Sequence, residues 1–196
     1  MSVSENFKTF CSNLRMSDTV VSSVQYRYKR ITKQLNADFR NLNSDTAYSL
    51  YVGSYGRGTA IHVSDIDMII ELPYSVYEQY DNHSGNGQSA LLQAVRDSIK
   101  KTYSTTHMRG DGQVVQLNFD DGICYEIVPG FINKDTESFT YPDTNEGGSW
   151  KVTKPRAEIN ELKNGDALWN NNLRRLCRMA RAWKDKWDVP MGGLLI

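Results

Sequence analysis

The sequence has no surplus of charge: 23 lysine and arginine residues balance 23 aspartate and glutamate residues, for a formal net charge of zero. Tight, sequence-independent grip on long DNA or RNA rests on a basic surface. A long nucleic acid is therefore not required as a partner, while a partner carrying a few phosphates stays open. Cysteine is scarce: Cys11, Cys124 and Cys177 lie far apart, which excludes a disulfide framework, and no C-x-x-C pair points to zinc. No stretch approaches the ~20 consecutive apolar residues of a membrane-spanning helix. The opening Met1-Ser2-Val3-Ser4-Glu5-Asn6 lacks the basic-then-apolar order of a secretory signal. The expected compartment is a reducing cytoplasm, with no membrane association. Internal repeats, low-complexity tracts and long Pro/Gly linkers are missing as well. What is present is a chain of 196 residues, 39% of them hydrophobic, enough for a domain with its own core.

Val21, Val24, Tyr28, Ile31, Leu35 and Leu42 recur at helical spacing over residues 18–41, with Ser17 or Asp18 placed to cap. A β-rich run at 47–52 stops at Gly53-Ser54, and a polar, glycine-containing connection leads to a strand at 66–72. Residues 88–103 read as a helix with Leu91, Leu92, Val95 and Ile99 on one side. Apolar runs at 114–119 and 123–128 flank Asp120-Asp121-Gly122, and Asp-Gly between such runs marks a hairpin. Residues 132–165 hold most of the turn formers and are expected to be loop-rich. A last helix is expected at 167–187, with Leu173, Leu176, Ala180, Trp183 and Trp187 on one stripe. This order predicts a mixed α/β domain on a sheet that is at least partly antiparallel. The apolar ending Met191-Gly192-Gly193-Leu194-Leu195-Ile196 is of a kind normally tied down by further structure, so the natural chain is expected to continue.

The residues that carry chemistry lie between Gly53 and Met68. A strand ends in a tight Gly53-Ser54 turn that enters a helical segment. Such a turn offers backbone N–H groups, a hydroxyl and the positive end of a helix dipole, all suited to phosphate oxygens. Asp65 and Asp67 alternate along a strand, so both carboxylates project from one face. Carboxylates held that close repel, and the cost grows with burial. A divalent cation removes it, and carboxylates together with substrate phosphates are the usual Mg²⁺ ligands. A third acid, Glu126, is the one charged residue in Ile123-Cys124-Tyr125-Glu126-Ile127-Val128-Pro129. An edge position or an ion pair would explain it without function; its place at the centre of an expected core strand favours metal ligation.

Other side chains carry weaker signals. Arg174, Arg178 and Arg181 share one face of the last helix and read equally as a solvated basic face or as contacts to a triphosphate. Arg27, Lys29, Arg30 and Lys33 read as ordinary helix surface. His62, His83 and His107 show no ligand spacing and are expected to be structural or exposed. Tyr55 either stacks on a base or packs over the turn, and Gly147-Gly148-Ser149-Trp150 reads better as a plain loop than as a nucleotide-pocket wall.

Gly53-Ser54 followed by Asp65-Ile66-Asp67-Met68 resembles the signature of the nucleotidyltransferase superfamily of the DNA polymerase β type. In that superfamily the third acid is usually an aspartate on a neighbouring strand, ahead of an apolar-Val-Pro run. Glu126-Ile127-Val128-Pro129 matches its position with a longer side chain. More narrowly, the chain resembles the CD-NTases, bacterial cyclic-oligonucleotide synthases related to animal cyclic GMP–AMP synthase. A long helix precedes the Gly-Ser strand, and Arg57-Gly58-Thr59-Ala60 follows the loop closely. The third acid leads into Val128-Pro129-Gly130-Phe131. Residues 173–187 look like the family's spine helix, with Arg181, rather than the usual lysine, two residues before Trp183.

The resemblance implies an α/β (α+β) fold: a polymerase-β-like nucleotidyltransferase core with a mixed sheet, a long N-terminal helix and a C-terminal spine helix. Residues 1–166 would form the catalytic core, and 167–196 the start of a C-terminal helical region that is cut short. The implied activity joins nucleoside triphosphates (ATP, GTP or pyrimidine triphosphates) into a cyclic di- or trinucleotide, a second messenger sensed by a downstream effector in anti-phage defence. Asp65, Asp67 and Glu126 would be the catalytic and metal-binding residues, holding two Mg²⁺ ions, with Mn²⁺ as a substitute. Gly53, Ser54, Arg57 and Arg181 would bind nucleotide. Two further readings stay open. A nucleotidyltransferase acting on a tRNA or protein acceptor would need a basic acceptor surface that the sequence offers only in patches. A non-catalytic nucleotide-binding module is the other, and the intact Asp65 and Asp67 argue against it.

Overall fold

Alternation along two neighbouring strands decides the architecture. In β2 (Asp65–Glu71), Ile66, Met68 and Ile70 are buried on one face, while Asp65 and Asp67 point to the other. In β5 (Cys124–Ile132), Tyr125 and Ile127 are buried beside them, and Glu126 takes the opposite face. The two strands run parallel, in register from Asp65 opposite Cys124 to Glu71 opposite Gly130. The computed structural model describes residues 2–61 and 65–190, and within them the sheet is completed by antiparallel pairings. β1 (Ser49–Tyr51) joins β2, β4 (Val114–Asn118) joins β5, and β3 (His107–Asp111) joins β4, giving the order β1-β2-β5-β4-β3. β4 accompanies β5 as far as Ile127, and β6 (Phe139–Asp143) takes over at Phe131. Pro129, which has no N–H to donate, lies where β5 changes partners. β7 (Ser149–Thr153) pairs with β6.

Two long helices cover the apolar face of the sheet. α2 (Asp18–Arg40) is capped by Ser17, whose hydroxyl accepts from Val20 N at 3.3 Å, and it closes at Asn41 in the left-handed region. Its Val24, Tyr28, Ile31 and Leu35 pack with Leu91, Val95 and Ile99 of α5 (Gly87–Lys100) over the buried side chains of β2, β4 and β5. The hydroxyl of fully buried Tyr125 donates to Val24 O at 2.5 Å, tying α2 to the central strand. The remaining helices are α1 (Val3–Asn13), α3 (Gly53–Arg57), α4 (Tyr74–Asp81), α6 (Pro155–Leu168) and α7 (Leu173–Trp187). Among the described residues, no helix is long and apolar enough to cross a membrane.

The mixed α/β architecture, the Asp-Gly hairpin and the helices expected at 18–41 and 88–103 are all present. Residues 132–165 depart from expectation: they hold β6, β7, a 3-10 turn at Asn145–Gly147 and most of α6. The turn formers there cluster between the strands, and β7 leaves most of its residues partly or fully exposed, so no clean alternation marks it. The helix expected at 167–187 is broken after Leu168, where Asn170 and Asn171 adopt φ values of 53° and 60°. α6 thus runs through the boundary expected at residue 166. The stripe of Leu176, Trp183 and Trp187 on α7 is exposed, and it is the arginine face of this helix that meets the protein. α1, α4 and β3 have no counterpart in the sequence reading. Residues 191–196 and His62 lie outside the described residues.

Ile127 is fully buried in β5, the strand with which β2, β4 and β6 all pair. Ile127→Ala is expected to lower unfolding stability by ~2–5 kcal/mol, read from urea denaturation. Val152→Ala on exposed β7 is expected to stay within about 0.5 kcal/mol of the parent.

Candidate active site

β1 ends at Tyr51, and the chain turns through Val52 into α3 with Gly53 at φ 59°. A Cβ at position 53 would lie 1.8 Å from Asp67 Oδ2. The loop lies against that carboxylate only because residue 53 has no side chain. Val52 N donates to Asp67 O at 2.9 Å, which fastens the loop to β2 from the backbone side. No side chain caps the start of α3.

The other end of the loop is held from α7. Arg174 Nε donates to Arg57 O at 3.0 Å, and Arg178 Nη2 donates to Gly58 O at 2.6 Å. Asp166 at the end of α6 orients the first of these, accepting from Arg174 N at 3.0 Å. Burial, with Arg15 and Arg174 nearby, holds the Arg178 guanidinium below its ordinary pKa. Of the three arginines on that face, two therefore grip backbone carbonyls of the Gly-Ser loop. Arg181 is the one that reaches the cavity. Tyr55 packs on Tyr51, with ring centroids 4.8 Å apart. Trp150 is directed into a cluster with Tyr77 and Phe131 and donates to Asp81 Oδ1 at 2.8 Å.

Gly53, Ser54, Arg57, Asp65, Asp67, Glu126 and Arg181 all line one cavity of about 840 Å³. Asp67 stands opposite Glu126 in the parallel register. Burial raises the Asp67 carboxyl above its ordinary pKa, and Glu126 and then Asp65 push it further, against the pull of Arg57 and Arg181. The neighbouring Cys124 thiol is pushed up to about 11 by burial and by Glu126 and Asp65, so it stays protonated at neutral pH. Arg57 pairs with Glu158 of α6 at 2.9 Å. Glu158 and Asp185 also line the cavity and were missed in the sequence, because each arrives on a distant helix with no local motif. Ile69, Val128 and Tyr141 supply an apolar wall.

Asp65, Asp67 and Glu126, three of the five carboxylates on this cavity, with Asp67 destabilised in its charged form by burial and by the other two, are hard oxygen donors of the kind Mg²⁺ and Mn²⁺ take. The donor chemistry fits such a cation. Among the described residues, no three His, Cys, Asp or Glu side chains are already gathered closely enough to hold an ion.

The raised Asp67 pKa has a consequence for stability. A carboxyl whose folded pKa exceeds its unfolded value opposes folding once ionised. The penalty is absent below the ordinary value of 3.8, grows as pH rises through the raised value, and is fully present above it. Asp67→Asn is therefore expected to raise the thermal midpoint of the metal-free protein at pH 7. Calorimetry in chelator should show that gain shrinking as the pH is lowered towards 3.8. A midpoint below that of the parent at pH 7 would contradict the electrostatic account.

Solved structures of other proteins share this fold. The chain matches the Elizabethkingia meningoseptica CdnE cyclic dinucleotide synthase, solved with GTP and Apcpp, at a TM-score of 0.64 and 16% identity, covering 88% of this chain and 64% of that one. It matches E. coli MS115-1 CdnC, solved with ATP, at a TM-score of 0.62 and 17% identity, covering 90% and 56% of the two chains. It matches the Rhodothermus marinus CdnE c-UMP-AMP synthase, solved with Apcpp and Upnpp, at a TM-score of 0.61 and 13% identity, covering 91% and 68%. The chain thus spans less than two thirds of the length of the first two. No match was found among curated protein sequences. The family model for the Second Messenger Oligonucleotide or Dinucleotide Synthetase domain, SMODS, matches residues 1–165. With the Gly-Ser loop, the paired aspartates and the mixed sheet in place, the chain belongs to the SMODS family, the CD-NTases.

Proposed function

We propose that this chain carries the catalytic centre of a divalent-metal-dependent nucleotidyltransferase that joins nucleoside triphosphates into a cyclic di- or trinucleotide. The observation that carries this reading is the interlock of Gly53 beneath Asp67, which puts a phosphate-binding turn and a carboxylate set on one cavity. The Gly53-Ser54 turn binds the β- and γ-phosphates through backbone N–H groups and the Ser54 hydroxyl. Arg57 and Arg181 add positive charge on the same cavity, and Ile69, Val128 and Tyr141 offer apolar surface to base and ribose. Asp65, Asp67 and Glu126 would hold two Mg²⁺ ions, or Mn²⁺. Bound there, the ions neutralise phosphate charge and lower the pKa of an attacking ribose hydroxyl. The contribution of the chain's own residues is positioning and charge complementarity.

The substrates would be drawn from ATP, GTP or the pyrimidine triphosphates. The product would act as a second messenger read by a downstream effector in cytoplasmic anti-phage defence. A small-nucleotide substrate is favoured over a tRNA or protein acceptor because the net charge is zero and one basic patch, Arg174 and Arg178, is engaged on loop carbonyls. The deciding experiment incubates the full-length protein with all four labelled triphosphates and Mg²⁺ or Mn²⁺. Phosphatase-resistant product is expected, and its absence under all conditions overturns the reading.

Asp65→Asn and Asp67→Asn are each expected to abolish product, because an amide is a poorer Mg²⁺ ligand and leaves the ion's charge unbalanced. Ser54→Ala should cost less, ~1–3 kcal/mol for one hydrogen bond to a charged phosphate. Glu126→Asp is expected to keep substantial activity, and Glu126→Gln to lose it, in product yield at matched folding stability. A more active glutamine variant would remove Glu126 from the metal-binding set.

A further inference from the structure

Four residues on four adjacent strands stand directly opposite one another. Arg109 of β3 faces Gln116 of β4, Gln116 faces Glu126 of β5, and Glu126 faces Asp67 of β2. They form a single rung across the sheet, ending at the cavity. Hydrogen bonds run along it: Arg109 Nε donates to Gln116 Oε1 at 2.7 Å, and Gln116 Nε2 donates to Glu126 Oε1 at 2.8 Å. Arg109 is steadied in turn by Asp111 at 3.1 Å.

The chemistry of the rung allows one orientation. A guanidinium only donates, so the Gln116 atom facing Arg109 is the oxygen, and the amide NH₂ is turned to Glu126. An ionised carboxylate only accepts, which completes the chain. Glutamate has one more side-chain torsion than Asp67, so an untethered Glu126 would sample more positions at the cavity wall. Its bond to Gln116 restricts that freedom and occupies one lone pair of Oε1, leaving the remaining lone pairs of the carboxylate for the cavity.

We infer that Gln116, oriented by Arg109, is a positioning residue that fixes the Glu126 carboxylate in the geometry the cavity uses. The inference rests on the proposed role of Glu126 as a metal-binding acid. It also assigns a purpose to the length of that side chain. An aspartate at 126 would fall short of Gln116 by about one C–C bond, ~1.5 Å, so the amide can position the acid at 126 only when that acid is glutamate.

The test reads Mn²⁺ binding to the full-length protein without turnover, by the electron paramagnetic resonance of free Mn²⁺. Gln116→Met is expected to raise the Mn²⁺ Kd about 10-fold, the usual lower range for loss of an outer partner of a ligating group. Arg109→Met should shift it in the same direction by less, with thermal midpoints near that of the parent. In a Glu126→Asp background, Gln116→Met should change nothing. An unaltered Kd in Gln116→Met, or an equal loss in the Glu126→Asp background, overturns the inference. If Gln116→Met does not fold, Arg109→Met at its exposed site carries the test, and an unaltered Kd there overturns the inference. A parent protein that binds no Mn²⁺ refutes the nucleotidyltransferase reading instead. In that event the rung is judged in the metal-free protein from the Gln116 side-chain amide resonances. Those should move in both Arg109→Met and Glu126→Asp, and resonances unmoved in both variants overturn the inference.

Discussion

Asp67 and Glu126 are placed opposite each other on parallel strands, half-buried, with Asp65 two residues away, and their mutual repulsion is what the surrounding structure has to accommodate. The apolar faces of β2 and β5 do so first. Ile66, Met68, Ile70, Tyr125 and Ile127 are locked into one core with α2 and α5, and a slip of one residue in either strand would expose all of that strand's apolar set together. The register that juxtaposes the acids is therefore enforced from the opposite side of the sheet. Guanidiniums of Arg57 and Arg181 ease the charge from across the cavity, and the main chain at Val52 and Gly53 closes over Asp67 at a distance no other residue allows.

Ionised Asp67 opposes folding as it stands, a cost the rest of the scaffold has to offset. The scaffold's compensation is local and identifiable. Tyr125 links the central strand to α2 through its hydroxyl, and the Arg27–Asp121 pair, at 2.7 Å, pins the same helix to the β4–β5 turn while its guanidinium lies over Phe119. The basic cluster on α2 thus has a structural use in Arg27, and Arg30 lies over Tyr103 in the same manner.

What the sequence revealed of this molecule depended on how local each signal was. β2 and the Gly-Ser turn announce themselves within a short window, since alternation and turn chemistry are properties of neighbours. Glu126 stood out because charge in an apolar strand is anomalous. β6 and β7 did not stand out, because strands with one wet face and mixed side chains lack a period strong enough to see. α1 could have been read from Ser2 and Glu5, which form a capping box, yet its faces are almost wholly exposed and offer no apolar stripe. The arginine face of α7 was ambiguous for a different reason: its partners are backbone carbonyls at Arg57 and Gly58, and no property of the α7 sequence encodes a carbonyl elsewhere in the chain. The break at Asn170 and Asn171 was concealed by a helical pattern on both sides.

The hold of α7 on the loop also sets an order in time. Arg174 and Arg178 lie 117 and 120 residues from the carbonyls they bind. A chain synthesised from its N-terminus, at ~5–20 residues per second, has made the Gly-Ser turn and all three acids at least ~2 s before the helix that steadies the turn. Completion of the site is thereby deferred until α7 has left the ribosome.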